Sequence, residues 1–295
     1  MHSFLEAIGF YKIKKEKLNE ILDDIIQNPE YMETGKDSSQ NEFVTLSKNY
    51  GESFGIRVCG SYLDNDEFRM DFYYPYFIGS GSMSEKSVEI EKHAEKESYA
   101  AICDDIKIGV ILIFYVQNVN DCLQELQRTK NETKEFQNVA VTLSALSLSG
   151  KILLPILKTE KQIRNSDRLF QERTNLIAAA RDGDEEAIES LTLEDIDTYS
   201  KLSRRVMNED VLSIVDTYFM PYGIESDQYS IMGEIINCYQ IENKVTNEQL
   251  YVITVDANDL IYDVCINKRD LMGEPQIGRR FKGNIWMQGT IHFES

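Results

Sequence analysis

Hydrophobic positions near the start of the chain recur at helical spacing. In the segment KEKLNEILDDIIQNP the apolar residues lie three and four positions apart, at Leu18, Ile21, Leu22, Ile25 and Ile26. This spacing places their side chains on one face of a helix. The pattern therefore predicts an amphipathic helix that ends before Pro29.

Strand patterns dominate the chain from about residue 42 to residue 157. The polar segment METGKDSSQNE predicts a loop, and the β-rich runs after it, separated by NYGES and LDNDE, predict a three-stranded antiparallel meander. Three more strands are predicted near 86–92, 97–104 and 108–117, followed by a helix over DCLQELQ. The segment NVAVTLSALSLSGKILLPIL then predicts two strands joined by a hairpin turn at Ser149 and Gly150.

The remaining patterns predict a helical connector and a second domain. Helical patterns fill residues 159–208, where Gly183 ends one predicted helix and Asp184 can cap the next. Five strand patterns follow, with turns at MPYG, NKVTNEQ and ANDL, and these predict a small antiparallel barrel. Helices and strands do not alternate strictly, so the predicted fold class is α+β. We expect an α+β domain with an antiparallel sheet at 1–158, the connector, and an OB-like β-barrel at 209–295, each domain with its own core.

The net charge and the cysteine pattern indicate which cellular compartment and which classes of partner the sequence favours. The chain has 31 Lys and Arg against 50 Asp and Glu, a net charge of −19. Such a surface repels phosphate backbones and anionic lipids, which argues against nucleic acid and membranes as partners. The five cysteines are odd in number and widely spaced, which favours reduced thiols in the cytoplasm. The N-terminus lacks a secretory signal pattern, and the longest apolar run, IGVILIFYV, is too short to span a bilayer.

No motif in the chain identifies a catalytic residue, a metal site or a cofactor. The three histidines, His2, His93 and His292, are far apart in sequence, and no CxxC pair is present. Helix capping explains the carboxylates of RDGDEEAIESL better than a calcium loop does. The loop Gly79–Ser82 lacks the lysine of a phosphate-binding loop. We therefore predict no cofactor and no metal.

One stretch, GRRFKGNIWMQGTIHF, combines basic, aromatic and glycine residues. Strand alternation places Arg280, Lys282, Asn284, Trp286 and Gln288 on the face opposite the predicted core face. Five of the six basic residues after position 208 lie within fifteen positions of one another: Lys268, Arg269, Arg279, Arg280 and Lys282. The candidate binding residues are therefore Arg279, Arg280, Lys282, Asn284, Trp286, Gln288, Lys268 and Arg269.

Two interpretations of this face remain open. Trp286 can pack beneath the helical connector, with the basic residues paired to the acidic side of that connector. Alternatively, the face is open and binds an anionic or planar ligand by stacking and arginine contacts. The exposure of Trp286 distinguishes the two interpretations.

Four phrases carry a resemblance to a known family: MHSFLEAIGF, LIAAARDGDEEAIESLTLEDIDTYS, FMPYGIESDQYSIMGEI and DVCINKRDLMGEPQIGRRFKGNIWMQG. Through them the chain resembles a family of cytoplasmic proteins from anaerobic Gram-positive bacteria that is classified only as a domain of unknown function. The resemblance implies a cytoplasmic location. It supplies no catalytic residue to carry over.

The sequence favours a non-catalytic intracellular binding or interaction protein whose partner is a protein or a small anionic or planar molecule. The alternative is a carboxylate-dependent enzyme with its site in the cleft between the two domains. Oligonucleotide binding on the barrel is a third hypothesis, and it would need exposed aromatic residues along a basic groove. The patterns leave the oligomeric state undetermined.

Overall fold

The computed structural model describes residues 2–36, 41–92, 98–104, 111–129, 134–156, 160–207, 210–224 and 226–293. It shows a mixed α+β protein in which strands outnumber helices. The helices are α1 (Lys15–Gln27), α2 (Val119–Thr129), α3 (Glu160–Arg181), α4 (Glu185–Val206) and α5 (Val211–Ile214). Short 3-10 helices span Ser3–Ile8 and Lys268–Asp270. The predicted helices at α1 and α2 are confirmed.

Four strands form a small antiparallel sheet in the order β1-β2-β3-β4. They are β1 (Tyr31–Lys36), β2 (Glu42–Asn49), β3 (Phe54–Tyr62) and β4 (Phe68–Phe77). The predicted meander over β2, β3 and β4 is confirmed. The predicted loop at the start of METGKDSSQNE is wrong, because β1 occupies it. An edge strand pairs on one side only and stays largely exposed, so a polar sequence can form it.

The other strands belong to one large mixed sheet. They are β5 (Ser82–Lys92), β6 (Tyr99–Asp104), β7 (Ile111–Val116), β8 (Glu135–Leu153), β9 (Tyr218–Pro221), β10 (Gln228–Glu242), β11 (Gln249–Ala257), β12 (Leu260–Asn267), β13 (Leu271–Met272) and β14 (Arg280–His292). Five of them form a closed ring of hydrogen bonds in the order β8, β14, β10, β11, β12 and back to β8.

The ring corrects the predicted C-terminal barrel in one respect. The strands after residue 209 do not close on themselves, because β8 lies between β12 and β14. β8 pairs with β14 in an antiparallel register from Ala140↔His292 to Leu153↔Arg280 and with β12 in a parallel one. A strand from the first half of the chain therefore completes the sheet of the second half.

The predicted hairpin turn at Ser149 and Gly150 is also wrong, because β8 continues through both residues. Gly150 serves close packing, since a Cβ atom there would lie 2.5 Å from the Phe281 ring. Gly283, the partner of Gly150 on β14, has a similarly close approach to the same ring. Glycine in this strand therefore marks room for an aromatic side chain.

Buried apolar residues from both halves of the chain form one continuous cluster. The N-terminal 3-10 helix buries Leu5 and Ile8 against it, and the Ile8 and Gly9 carbonyls accept hydrogen bonds from Asn243 and Thr246 in the C-terminal half. Separate cores on either side of the connector are thus not observed. The predicted boundaries at 158–159 and 208–209 lie outside the described residues, and the division into three segments stays a prediction.

The connector forms a helical hairpin of α3 and α4. Gly183 ends α3 with φ of 89°, and the Asp184 carboxylate caps α4 by accepting hydrogen bonds from the Glu186 and Ala187 backbone amides. Arg173 on α3 lies 2.8 Å from Asp195 on α4. The predicted strand over VLSIVDTYFMP begins later than expected, because its first residues form α5.

Candidate functional site

The structure separates the eight predicted binding residues into three places. Lys268 and Arg269 lie in the second 3-10 helix, after β12. Arg279, Arg280, Lys282 and Asn284 lie at and just before the start of β14, and Trp286 and Gln288 lie farther along that strand. These residues do not form one open face.

Arg280 is buried at the base of the helical hairpin. Its guanidinium donates hydrogen bonds to the carbonyl oxygens of Leu154 (3.0 Å), Val215 (2.9 Å) and Leu212 (2.8 Å). Leu154 precedes the hairpin and Leu212 follows it, so one side chain ties both ends of this segment to β14. No carboxylate forms an ion pair with Arg280 among the described residues. These carbonyl oxygens, together with the Met232 sulfur at 3.8 Å from Nη1, satisfy this buried cation.

The other basic residues of the predicted face remain accessible. Arg279 and Lys282 are partly exposed, and Lys282 lies directly across from Lys151 on β8. Arg269 stacks on the Tyr11 ring at 3.9 Å, and Lys268 lies 5.9 Å from the Tyr251 ring. Their predicted role in ligand binding stays a prediction.

Trp286 is buried, with 5 % of its surface exposed. Its ring lies 5.3 Å from Phe4, 4.9 Å from His2 and 5.2 Å from Tyr115. The indole Nε1 donates a 2.7 Å hydrogen bond to the Asp227 carboxylate. The N-terminal segment and β7 therefore cover the tryptophan, which corrects the expected packing partner.

Gln288 belongs to a buried amide network between the two sheets. Its Oε1 accepts hydrogen bonds from the Phe77 backbone amide and from Gln117 Nε2, and its Nε2 donates to the Pro75 carbonyl. Gln117 also donates to the Phe77 carbonyl. This network joins β4 to β14, and a fully satisfied network of this kind is a structural feature.

A residue that the sequence reasoning missed, Arg57 on β3, lies on the small sheet beside the start of α2. Its Cζ lies 4.7 Å from the Tyr76 ring centroid. Its Nη1 donates to the Gln117 carbonyl and, at 3.5 Å, to the Tyr74 hydroxyl. Its Nε–H is buried without an acceptor, and the hydrogen bonds that Arg57 makes to the described residues come from Nη1. The one signal in the sequence was a lone cation inside the apolar run FGIRVC.

The surroundings of Arg57 keep it charged. Burial lowers the pKa of Arg57, but the Tyr74 hydroxyl and Glu33 raise it by more, so the net direction is upward. Burial raises the pKa of Tyr76 to about 12, although Arg57 acts in the opposite direction. The guanidinium therefore stays a cation, and its tyrosine neighbours stay neutral, at physiological pH.

The hairpin carries the second unexplained feature, a row of exposed aliphatic residues. Leu169 on α3 and Ile188, Leu193 and Ile196 on α4 are between 47 % and 61 % exposed. Eight acidic residues and no basic residue lie between positions 182 and 200: Asp182, Asp184, Glu185, Glu186, Glu189, Glu194, Asp195 and Asp197. We call Ile188, Leu193 and Ile196 with the acidic residues around them the acidic-apolar face of α4.

Other kinds of site find little support in the described part of the chain. Within those ranges, no three His, Cys, Asp or Glu side chains come together as metal ligands would. Of the three histidines considered as metal ligands or catalytic residues, His93 lies outside the described residues. No described helix has both the length and the apolar content that crossing a membrane requires. None of the five cysteines forms a disulfide, and four of them are buried.

The fold and these sites define a mixed α+β protein with a closed strand ring, a small antiparallel sheet and a helical hairpin. The chain belongs to the family described as "Domain of unknown function, E. rectale Gene description (DUF3881)", whose model matches residues 5–289. The resemblance to a family of unknown function is thereby confirmed. Comparisons with curated proteins and with solved structures gave no match.

Proposed function

We propose that the chain is a non-catalytic intracellular interaction protein that binds a protein partner through the acidic-apolar face of α4. The observation that carries this proposal is the exposure of three large aliphatic side chains on one helix. Exposed apolar residues that are grouped and rimmed by charge are typical of interaction sites. A helix that presents such a face is suited to a groove on another protein.

The charge of the face specifies the chemistry of the partner. Residues 182–200 carry eight acidic side chains and no basic one. Arg173 lies near only two of these, at 3.6 Å from Glu194 and 2.8 Å from Asp195. A complementary partner therefore presents an apolar groove with a basic rim, since opposite charges steer association.

The attachment of the α3–α4 hairpin at its base supports a role for the hairpin in presenting the α4 face to a partner. Arg280 ties the chain on both sides of the hairpin to β14, and β14 is part of the closed ring. A fixed base limits the orientations of the hairpin, which lowers the entropic cost of binding. An intracellular location is supported by the five free cysteines, because free thiols persist in a reducing compartment.

The enzymatic alternative requires carboxyl groups whose environments separate their pKa values. Among the described carboxyl groups, burial raises the pKa of Asp270, and hydrogen bonds from Lys48 and Arg128 lower the pKa values of Asp24 and Glu125. The last two are ion-paired groups on α1 and α2. These groups do not form an acid and base pair, so we propose binding as the function.

The proposal is tested by cross-linking from the helix face in the native cell. A photoreactive residue in place of Leu193 should cross-link one basic protein, and the same residue in place of Thr198, which is exposed on another side of α4, should not. The partner is then purified and titrated against Leu193→Ser. We expect binding about tenfold weaker, because an apolar side chain no longer enters the groove, with unchanged stability since Leu193 is exposed.

Salt dependence and a matched variant sharpen this test. Binding should weaken as salt rises, because screening reduces attraction between the acidic face and a basic rim. Thr198→Ala is the control, and it should bind like the natural chain. Equal cross-linking from both positions, an acidic partner, or cross-links only to a second copy of this chain would contradict the proposal.

A further inference from the structure

Arg57 has one edge without protein acceptors. The planar guanidinium has its donors arranged as a fork, and Nε–H and Nη2–H together form one side of that fork. The opposite donor, Nη1, is satisfied by Gln117 and Tyr74. The Tyr76 ring centroid lies 4.7 Å from the Arg57 Cζ. The two NH groups that lack an acceptor therefore point in the same direction.

This arrangement differs from that of an ordinary surface arginine. Arg57 is partly exposed, but its Nε–H is removed from solvent without an acceptor. Nη2 is not among the buried unsatisfied atoms, so the fork is reached from the surface at that end. A buried, charged donor left unsatisfied costs free energy, and such a cost is offset when a ligand supplies the acceptor.

The neighbouring side chains limit the ligand. Ser47 is buried directly across from Arg57 on β2. Glu33 on β1 acts on Arg57 electrostatically, so it opposes a second negative charge on a ligand. A monoanion with two oxygen atoms in one plane fits a fork, a hydroxyl and one nearby carboxylate.

We propose that Arg57 and Ser47 bind the carboxylate group of a small organic acid at this edge of the guanidinium. The two carboxylate oxygens accept hydrogen bonds from Nε–H and Nη2–H, and the Ser47 hydroxyl donates a third. The Tyr76 ring, whose centroid lies 4.7 Å from the Arg57 Cζ, favours acids with a flat apolar body. This site lies on the small sheet and does not depend on the helical hairpin.

The experiment follows the Arg57 Nε–H resonance by NMR while sodium benzoate, sodium acetate or sodium phosphate is added at constant ionic strength. We expect a saturable shift with benzoate, a weaker response with acetate, and a still weaker one with phosphate, because Glu33 repels a dianion. Chloride at the same ionic strength should leave the resonance unchanged. The absence of this signal in Arg57→Lys identifies it.

Substitutions test whether the paired Nε–H and Nη2–H donors of Arg57, and not its positive charge alone, bind the carboxylate. Arg57→Lys keeps the cation but loses the fork, so benzoate affinity, measured by calorimetry, should fall about tenfold or more, as expected for a lost charge-assisted hydrogen bond. Ser47→Ala should weaken binding by a smaller factor and keeps the test independent of any folding defect in the lysine variant. Arg69→Lys is the matched control, because Arg69 is exposed on β4 and lies 3.5 Å from Asp71.

Several outcomes would overturn this proposal. One is an Nε–H resonance that ignores benzoate or responds equally to chloride. Another is phosphate binding more tightly than benzoate, since the site would then belong to a different ligand class. Full benzoate affinity in Arg57→Lys would show that the fork is not used. None of these outcomes affects the test of the α4 face.

Discussion

Arg280 is buried and Arg57 has a buried Nε–H, and neither forms an ion pair with a carboxylate among the described residues, yet the two differ in how their donors are satisfied. Arg280, at the base of the helical hairpin, donates to three carbonyl oxygens. Arg57, on the small sheet, has one edge without acceptors. The first cation holds chain segments in place, and the second has donors left for a ligand. Burial of a charge therefore does not by itself distinguish a structural residue from a candidate binding residue.

The same comparison predicts that substitutions in the two regions change the free energy of unfolding by different amounts. Removing Arg280 leaves three carbonyl groups without their charged donor, whereas removing Arg57 also removes a buried donor that has no acceptor. The hairpin base should therefore be sensitive to substitution, and the small-sheet face should be tolerant. Four substitutions test this contrast.

The largest effect is expected at Trp286, which lies on β14 after Arg280 and is buried. Trp286→Ala should destabilise the chain by roughly 3–5 kcal/mol, as for a large buried aromatic side chain. Urea unfolding monitored by circular dichroism measures the change. The native emission of this single tryptophan should be blue-shifted. A red-shifted emission together with an unchanged melting temperature would contradict the observed packing.

Arg280→Met should destabilise the chain by about 2–4 kcal/mol, because three carbonyl groups lose their donor. The matched control is Arg279→Met, at a partly exposed neighbour, for which a change within about 0.5 kcal/mol is expected. Urea unfolding of both variants gives the comparison. Equal effects of the two substitutions would mean that Arg280 does not hold the hairpin.

Arg57→Met should change stability by less than about 1 kcal/mol, since the lost hydrogen bonds are offset by the removal of a cation whose Nε–H is buried without an acceptor. The same unfolding measurement applies. A loss as large as that of Arg280→Met would show that Arg57 is structural, and it would remove the contrast between the two regions.

Asp270 tests whether a negatively charged group with an unsatisfied buried atom also lowers stability, because its Oδ2 is buried without a hydrogen-bond partner. Burial and then Glu6 raise the pKa of Asp270 in the folded state. The protonated Asp270 carboxyl group therefore contributes its full stability below the pKa of the unfolded chain, about 3.9. This contribution is lost as pH rises through the pKa of the folded state. Asp270→Asn should have the higher melting temperature at pH 7.

The advantage of Asp270→Asn should shrink as pH falls and vanish below about pH 4, where the carboxyl group is protonated in both states. Melting temperatures of both proteins across this pH range give the measurement. A constant difference at every pH would show that ionisation of Asp270 is not the cause.

Local patterns predicted most elements of this fold but not their partners. The helical spacing through Ile21 and Ile25 and the Gly183–Asp184 junction predicted α1 and the turn of the hairpin, because helix periodicity and capping involve residues close in sequence. The patterns failed at Gly150, where the contact that requires a glycine comes from Phe281, far along the chain.

The predicted site shows the same limit. Composition identified a basic and aromatic stretch, and strand alternation correctly placed Phe281, Ile285 and Met287 in the core. It did not show that the N-terminal segment covers Trp286 or that the hairpin base covers Arg280. Arg57 was missed because its significance depends on Tyr76 and Gln117, which come from another strand and from the loop before α2.

The sequence by itself determined the class of the protein, the alternation of apolar and polar positions, the helical hairpin and the acidic charge, since each depends on residues near one another or on composition alone. The tertiary structure decided that β8 closes the strand ring, that Arg280 is satisfied and that Arg57 is not. The physical reason is that hydrogen-bond satisfaction and coverage are set by groups distant in sequence, which only the folded chain brings together.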